Sequence, residues 1–128
     1  MDEATWMEMA RQNSARQSWS QLTYFVSVFA LTATIVFSTP GDFALLLTVA
    51  AVGIGLFGIL SFDAAQQGWI QMAESMPNSI ASTAVGKASS NTGTYNFYRA
   101  TNALFTAVIA AAQIIAINSL QASARLAA

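Results

Sequence analysis

Charge is missing from this chain in long blocks. No Asp, Glu, Lys or Arg lies between Arg16 and Asp42, between Asp42 and Asp63, or between Arg99 and Arg125. Three apolar runs fill those blocks: Leu22 to Phe37, Phe43 to Phe62, and Ala103 to Leu120. A helix needs about 20 predominantly apolar residues to cross ~30 Å of hydrocarbon, and each block offers roughly that length. The expected fold is an all-α integral membrane protein with three transmembrane helices, the first two forming a hairpin that extends into the cytoplasm.

Composition supports a lipid solvent and narrows the chemistry. Hydrophobic side chains make up 55% of the 128 residues and charged ones only 9%, against roughly 25% charge in soluble domains. Five basic and six acidic residues nearly cancel, so there is no positive field to hold nucleic acid or an anionic lipid cluster. The absence of Cys removes disulfides, thiolate nucleophiles and zinc-thiolate sites, and says nothing of redox compartment. The absence of His removes imidazole ligation and the commonest general base near neutral pH. The carboxylates Asp2, Glu3, Glu8, Asp42, Asp63 and Glu74 are scattered, mostly at the edges of the apolar runs. No acid/base pair sits deep in the bilayer, and the expectation is a chain with no enzymatic activity and no cofactor.

Residues 1–20 read as a cytoplasmic amphipathic helix, with Trp6, Met9 or Ala10, Ala15 and Trp19 on its apolar side. Thr5 and Glu8 fit a capping box, and a helix starting there can continue into the first span at 21–38. Trp19 and Tyr24 suit the headgroup level. The competing reading is a cleavable signal peptide, with Arg11 and Arg16 preceding an apolar core and a cleavage site at Val36-Phe37-Ser38. Pro40 and Gly41 stop the first helix, and Asp42 suits the start of the second, where the dipole favours an anion. The second span, 43–62, continues as an amphipathic cytoplasmic helix to 76, with Pro77 ending it. Residues 77–98 read as a polar loop with a short helical turn near Ile80 to Val85. Tyr95, Phe97, Tyr98 and Arg99 form an aromatic-basic collar before the third span, 100–120. Arg11, Arg16, Lys87 and Arg99 stand on one side and Arg125 on the other, so the positive-inside rule places the N-terminus and the 63–100 segment in the cytoplasm and the C-terminus outside.

Each span carries one stripe of small or weakly polar side chains. On the first, Thr23, Ser27, Ala30 and Thr34 repeat at 4-3-4; on the second, Ala44, Thr48, Ala51, Gly55 and Gly58 repeat at 4-3-4-3. In lipid no hydrophobic gain joins two helices, so small residues matter because they let backbones approach. The spacing favours left-handed packing near +20°. Such stripes serve either packing within the chain or association with another subunit. Past the second span the spacing persists through Phe62, Ala65, Trp69, Met72 and Met76, now with bulky side chains. Burial in water again drives contact there. Trp69, Met72 and Met76 form a cytoplasmic face suited to the N-terminal helix or to a partner helix. On the third span Asn102, Thr106 and Gln113 lie within roughly 40° of one another, as pore lining or as hydrogen bonds across a helix pair. The letters Gly53-Ile54-Gly55-Leu56-Phe57-Gly58 match a dinucleotide fingerprint, but they lie inside an apolar run and not between a strand and a helix.

The functional expectation is a non-catalytic membrane subunit whose partners are the bilayer, copies of itself or other membrane subunits. The alternative is an oligomeric ion or small-solute channel lined by the third span, with Gln113 at its constriction.

Overall fold

The computed structural model describes residues 2–38 and 43–127. Among these the chain forms five helices and no strand: α1 (Glu3–Phe37), α2 (Ala44–Glu74), α3 (Asn78–Ala81), α4 (Ala84–Ser89) and α5 (Thr92–Ala127). Three of them, α1, α2 and α5, are long and apolar enough to cross a membrane. At 1.5 Å per residue each spans about 45 to 55 Å, well beyond ~30 Å of hydrocarbon. The proposed helix stop at Pro40 and Gly41 and the cap at Asp42 lie outside the described residues.

Helix starts and stops depart from the sequence expectation in two places. Helix α1 begins at Glu3, not Thr5, because Asp2 is its cap. The Thr5 amide donates to Asp2 Oδ1 at 2.9 Å and the Thr5 hydroxyl to Asp2 Oδ2 at 2.9 Å. Glu8, expected to close a capping box, is instead held by Arg11 and Gln12. The second departure is the 77–98 loop, which folds as α3, α4 and the first turns of α5. Thr83 caps α4 by accepting from the Gly86 amide at 3.0 Å. The α3 backbone presses so closely on Gly86 that a β-carbon there would overlap Ile80 and Ala81. The phenol of Tyr95 donates to the Ser89 carbonyl at 3.1 Å, tying α5 back to the end of α4.

Helix α2 is the middle element and packs extensively on both neighbours, while α1 and α5 touch one another sparingly. It runs antiparallel to α1: Trp6 meets Met72, Gln17 meets Trp69, and Tyr24 meets Phe62. It also runs antiparallel to α5, with Asp63 facing Arg99, Gly58 facing Thr106 and Gly55 facing Ala110. The buried α2 residues include Ala51, Gly55, Gly58, Phe62, Ala65 and Met72, at spacings of four, three or seven, with Gln66 beside Ala65. A continuous apolar cluster of Leu31, Ile35, Ala51 and Ile117 closes one end of the bundle.

Candidate functional site: a neutral polar column between the helices

The chemistry-bearing residues of α5 lie on its inner face. Thr106 is the most deeply buried of them, 1% exposed, and its Cγ2 lies 2.9 Å from where a β-carbon on Gly58 would stand. Two turns further along, Gln113 crosses to α1, its amide donating to Thr32 Oγ1 at 3.0 Å and to the Val28 carbonyl at 3.3 Å. This is the main polar tie between two helices that otherwise barely meet. Asn102 sits at the opposite end of the row, half-buried at the edge of a cleft. The three residues thus share one face, at three separate stations along the bundle.

The α2 stripe faces inward over most of its length. Ala51 is wholly buried, Gly55 and Gly58 are buried, and Ala44 and Thr48 are half-buried. A β-carbon on Gly55 would stand 3.0 Å from the Ala110 methyl group. The α1 stripe behaves differently. Thr23, Ala30 and Thr34 are exposed and Ser27 is half-buried. Helix α1 instead turns Tyr24, Leu31 and Ile35 toward the interior. Small residues of α2 leave hollows, and the large side chains one position along α1 fill them, which brings more atoms into contact than small against small. The hydroxyls of Ser27, Thr34 and Thr48 each donate to the backbone carbonyl one turn back, which leaves these positions smooth.

Tyr24 was expected at a headgroup level. The structure encloses it at 3% exposure between Gly58 and Phe62, the rings of Tyr24 and Phe62 edge-to-face at 5.2 Å. Its hydroxyl is buried without a hydrogen-bond partner, as are Asn13 Nδ2 and Gln66 Oε1. Each such group costs about 1–3 kcal/mol. All three lie on the α1 and α2 helices. Trp19, by contrast, is 69% exposed.

Beyond the small stripe, the α1 and α2 helices pair through larger groups. The Trp6 indole donates to the Met72 carbonyl at 3.0 Å, and the Trp69 indole to Gln17 Oε1 at 2.8 Å. Met72 is buried against α1, while Trp69 and Met76 keep partial exposure. Much of the face predicted to receive a helix is therefore already packed on α1. Above the Tyr24 level, Asp63 and Arg99 form a half-exposed ion pair joining α2 and α5.

Sequence reasoning placed Tyr24 at a headgroup level and overlooked Gln17, Gln21 and the Asp63 to Arg99 pair. The last had a signal: Asp63 ends one uncharged run and Arg99 begins the next, so antiparallel spans bring them to one level. Among the described residues no three His, Cys, Asp or Glu side chains gather to hold a metal ion. The interior groups are amides, hydroxyls and a phenol, which can both donate and accept hydrogen bonds. Comparison with protein-family models, curated proteins and solved structures finds no match.

Proposed function

We infer that this chain is a non-catalytic integral membrane subunit that crosses the bilayer three times and works by association. The observation that carries the reading is the contrast between the two small stripes. That of α2 is consumed inside the chain, whereas Thr23, Ala30 and Thr34 of α1 remain outside it. An outward small face lets a further helix approach closely in lipid, while the bulky Phe25 and Phe29, exposed on the other side of α1, meet acyl chains. The occupant is a second copy of the chain or a helix of a larger membrane complex. In this reading the N-terminus and the 63–100 segment are cytoplasmic and the C-terminus is outside.

The chain contains no Cys, so single cysteines report proximity without background. Ala30→Cys and Thr34→Cys in native membranes are expected to form oxidised dimers or a fixed heterologous adduct, and Phe29→Cys, on the bulky face, is not. Equal cross-linking at all three positions contradicts association through this stripe. A channel lined by α5 is the weaker reading, because the Gln113 amide it requires is engaged on Thr32 and Val28.

A further inference from the structure

We propose that the cleft lined by α1, α2 and α5 binds a neutral sugar ring, as the headgroup of a glycolipid or as a free glycoside. The inference rests on the membrane reading above and is independent of self-association. The cleft holds about 320 Å³ and lies beside the Asp63 to Arg99 pair, at the level where the uncharged segments end. That volume is at the lower bound of roughly 300–1,000 Å³ for ligand pockets, which suits one small ring.

The lining selects the chemistry. Four carboxamides border it, Gln17, Gln21, Gln66 and Asn102, together with the rings of Trp69, Tyr95 and Tyr98. No Asp, Glu, Lys or Arg lines it, and the neighbouring Arg99 is paired with Asp63, so an ion or a phosphate headgroup finds no free counter-charge there. The carboxamides on its wall make it unsuited to an acyl chain. A carboxamide presents a donor and an acceptor together, as does a hydroxyl, and aromatic rings offer flat apolar faces to the C–H side of a pyranose.

Gln66 supplies the independent observation. It is 94% buried, being only 6% exposed, yet its Oε1 has no hydrogen-bond partner. Gln21 and Asn102 make no side-chain hydrogen bond among the described residues either, whereas the Trp69 indole is already bonded to Gln17 and the Tyr95 phenol to Ser89. Three carboxamides without a protein partner among the described residues, Gln21, Gln66 and Asn102, therefore border this cleft, where the Trp69 and Tyr95 donors are already engaged. Buried polar groups in native proteins are overwhelmingly paired, and a vicinal diol is a ligand able to pair several amides at once.

The test uses the full chain in phosphatidylcholine nanodiscs, with the side-chain amide signals of Gln and Asn followed by NMR. One arm adds methyl β-glucoside to the solution; the other replaces part of the phosphatidylcholine with a monoglucosyl diacylglycerol. In at least one arm the Gln66 and Asn102 signals are expected to shift saturably while those of Gln113 and Asn118 stay fixed. A response to both ligands means that the ring alone suffices; a response to the glycolipid only identifies a headgroup site. Asn102→Leu is expected to weaken the response by about tenfold, the loss of one neutral hydrogen bond. Because Asn102 is half-buried, unchanged Gln113 signals verify that this variant is folded. No saturable shift in either arm, or an undiminished response in Asn102→Leu, overturns the proposal and leaves the cleft to water. Failure of the protein to enter nanodiscs is seen before any sugar is added and defeats the membrane reading itself.

Discussion

Gly58 lies directly beneath the ring of Tyr24: a β-carbon at position 58 would stand 2.6 Å from Cε2 and 2.7 Å from Cδ2 of that ring. Thr106 closes on the same point from α5, so one hydrogen atom separates three helices. The consequence is a site where the smallest enlargement is costly. Gly58→Ala is expected to destabilise the protein by about 1–3 kcal/mol through overpacking, despite a helix-propensity gain of about 1 kcal/mol for Ala over Gly. Gly53 is the internal control, since nothing lies within 4 Å of its added β-carbon. Unfolding in mild detergent should show Gly53→Ala at or above the stability of the parent and Gly58→Ala below it.

The two small stripes separate folding from association. Ala51 has no exposed surface, so Ala51→Leu and Gly55→Leu are expected to force α2 away from its neighbours and lower thermal stability. Ala30→Leu falls on the exposed face of α1. It should leave the stability of the single chain nearly unchanged while lowering the oligomer or complex mass seen by native mass spectrometry of gently solubilised membranes. Equal effects of Ala30→Leu and Gly55→Leu on stability contradict this division.

The amide of Gln113 serves packing between α1 and α5 in this account. Gln113→Leu and Thr32→Val are each expected to cost only about 0.6 kcal/mol, the typical worth of an interhelical hydrogen bond in a membrane protein. The double variant should cost little more than Gln113→Leu alone, because that substitution already removes the bond that Thr32→Val removes. Additive losses in a double-mutant cycle mean that the two side chains do not interact.

Acid should loosen the start of α1 through Asp2. Its carboxyl is held below the ordinary carboxylate range, first by the Thr5 amide and then by the Thr5 hydroxyl. A carboxylate with a lowered folded-state pKa stabilises above its unfolded value and loses that contribution as pH falls through the folded one. Glu8, lowered first by Arg11 and then by Gln12, acts in the same direction. Amide protection in the first two turns is expected to hold from neutral pH into the ordinary carboxylate range and to fall in stronger acid. In Asp2→Ala the protection should be low throughout, with only the Glu8 step remaining.

Three long helices were legible because charge is excluded from segments of the right length, a signal that needs no partner to interpret. The burial of Ala51, Gly55 and Gly58 follows from their spacing alone. Which face of α1 meets them does not. Thr23-Ser27-Ala30-Thr34 and Tyr24-Leu31-Ile35 are one residue, about 100°, apart on the helix. The choice depends on large side chains filling hollows on another helix. Tyr24 was hidden for a related reason, since an aromatic near the end of an apolar run has the same appearance whether it anchors at a headgroup or fills a gap above a glycine. The early start of α5 was concealed by a Ser, Thr, Asn and Gly composition that favours turns. Contacts made outside the helix support those turns, Arg99 with Asp63 on α2 and Tyr95 with Ser89 at the end of α4. The cleft of carboxamides was unreadable because Gln17, Gln21, Gln66 and Asn102 come from three helices and none stands in a motif.

The central claim is that the chain threads a bilayer three times, and labelling of introduced cysteines tests it most directly. Ser90 lies between α4 and α5 and Ser123 near the far end of α5, both exposed. In sealed inside-out vesicles a membrane-impermeant maleimide is expected to label Ser90→Cys at once and Ser123→Cys only after detergent is added. Labelling of both positions from the same side, or recovery of the protein as a folded monomer in water without detergent, contradicts the account.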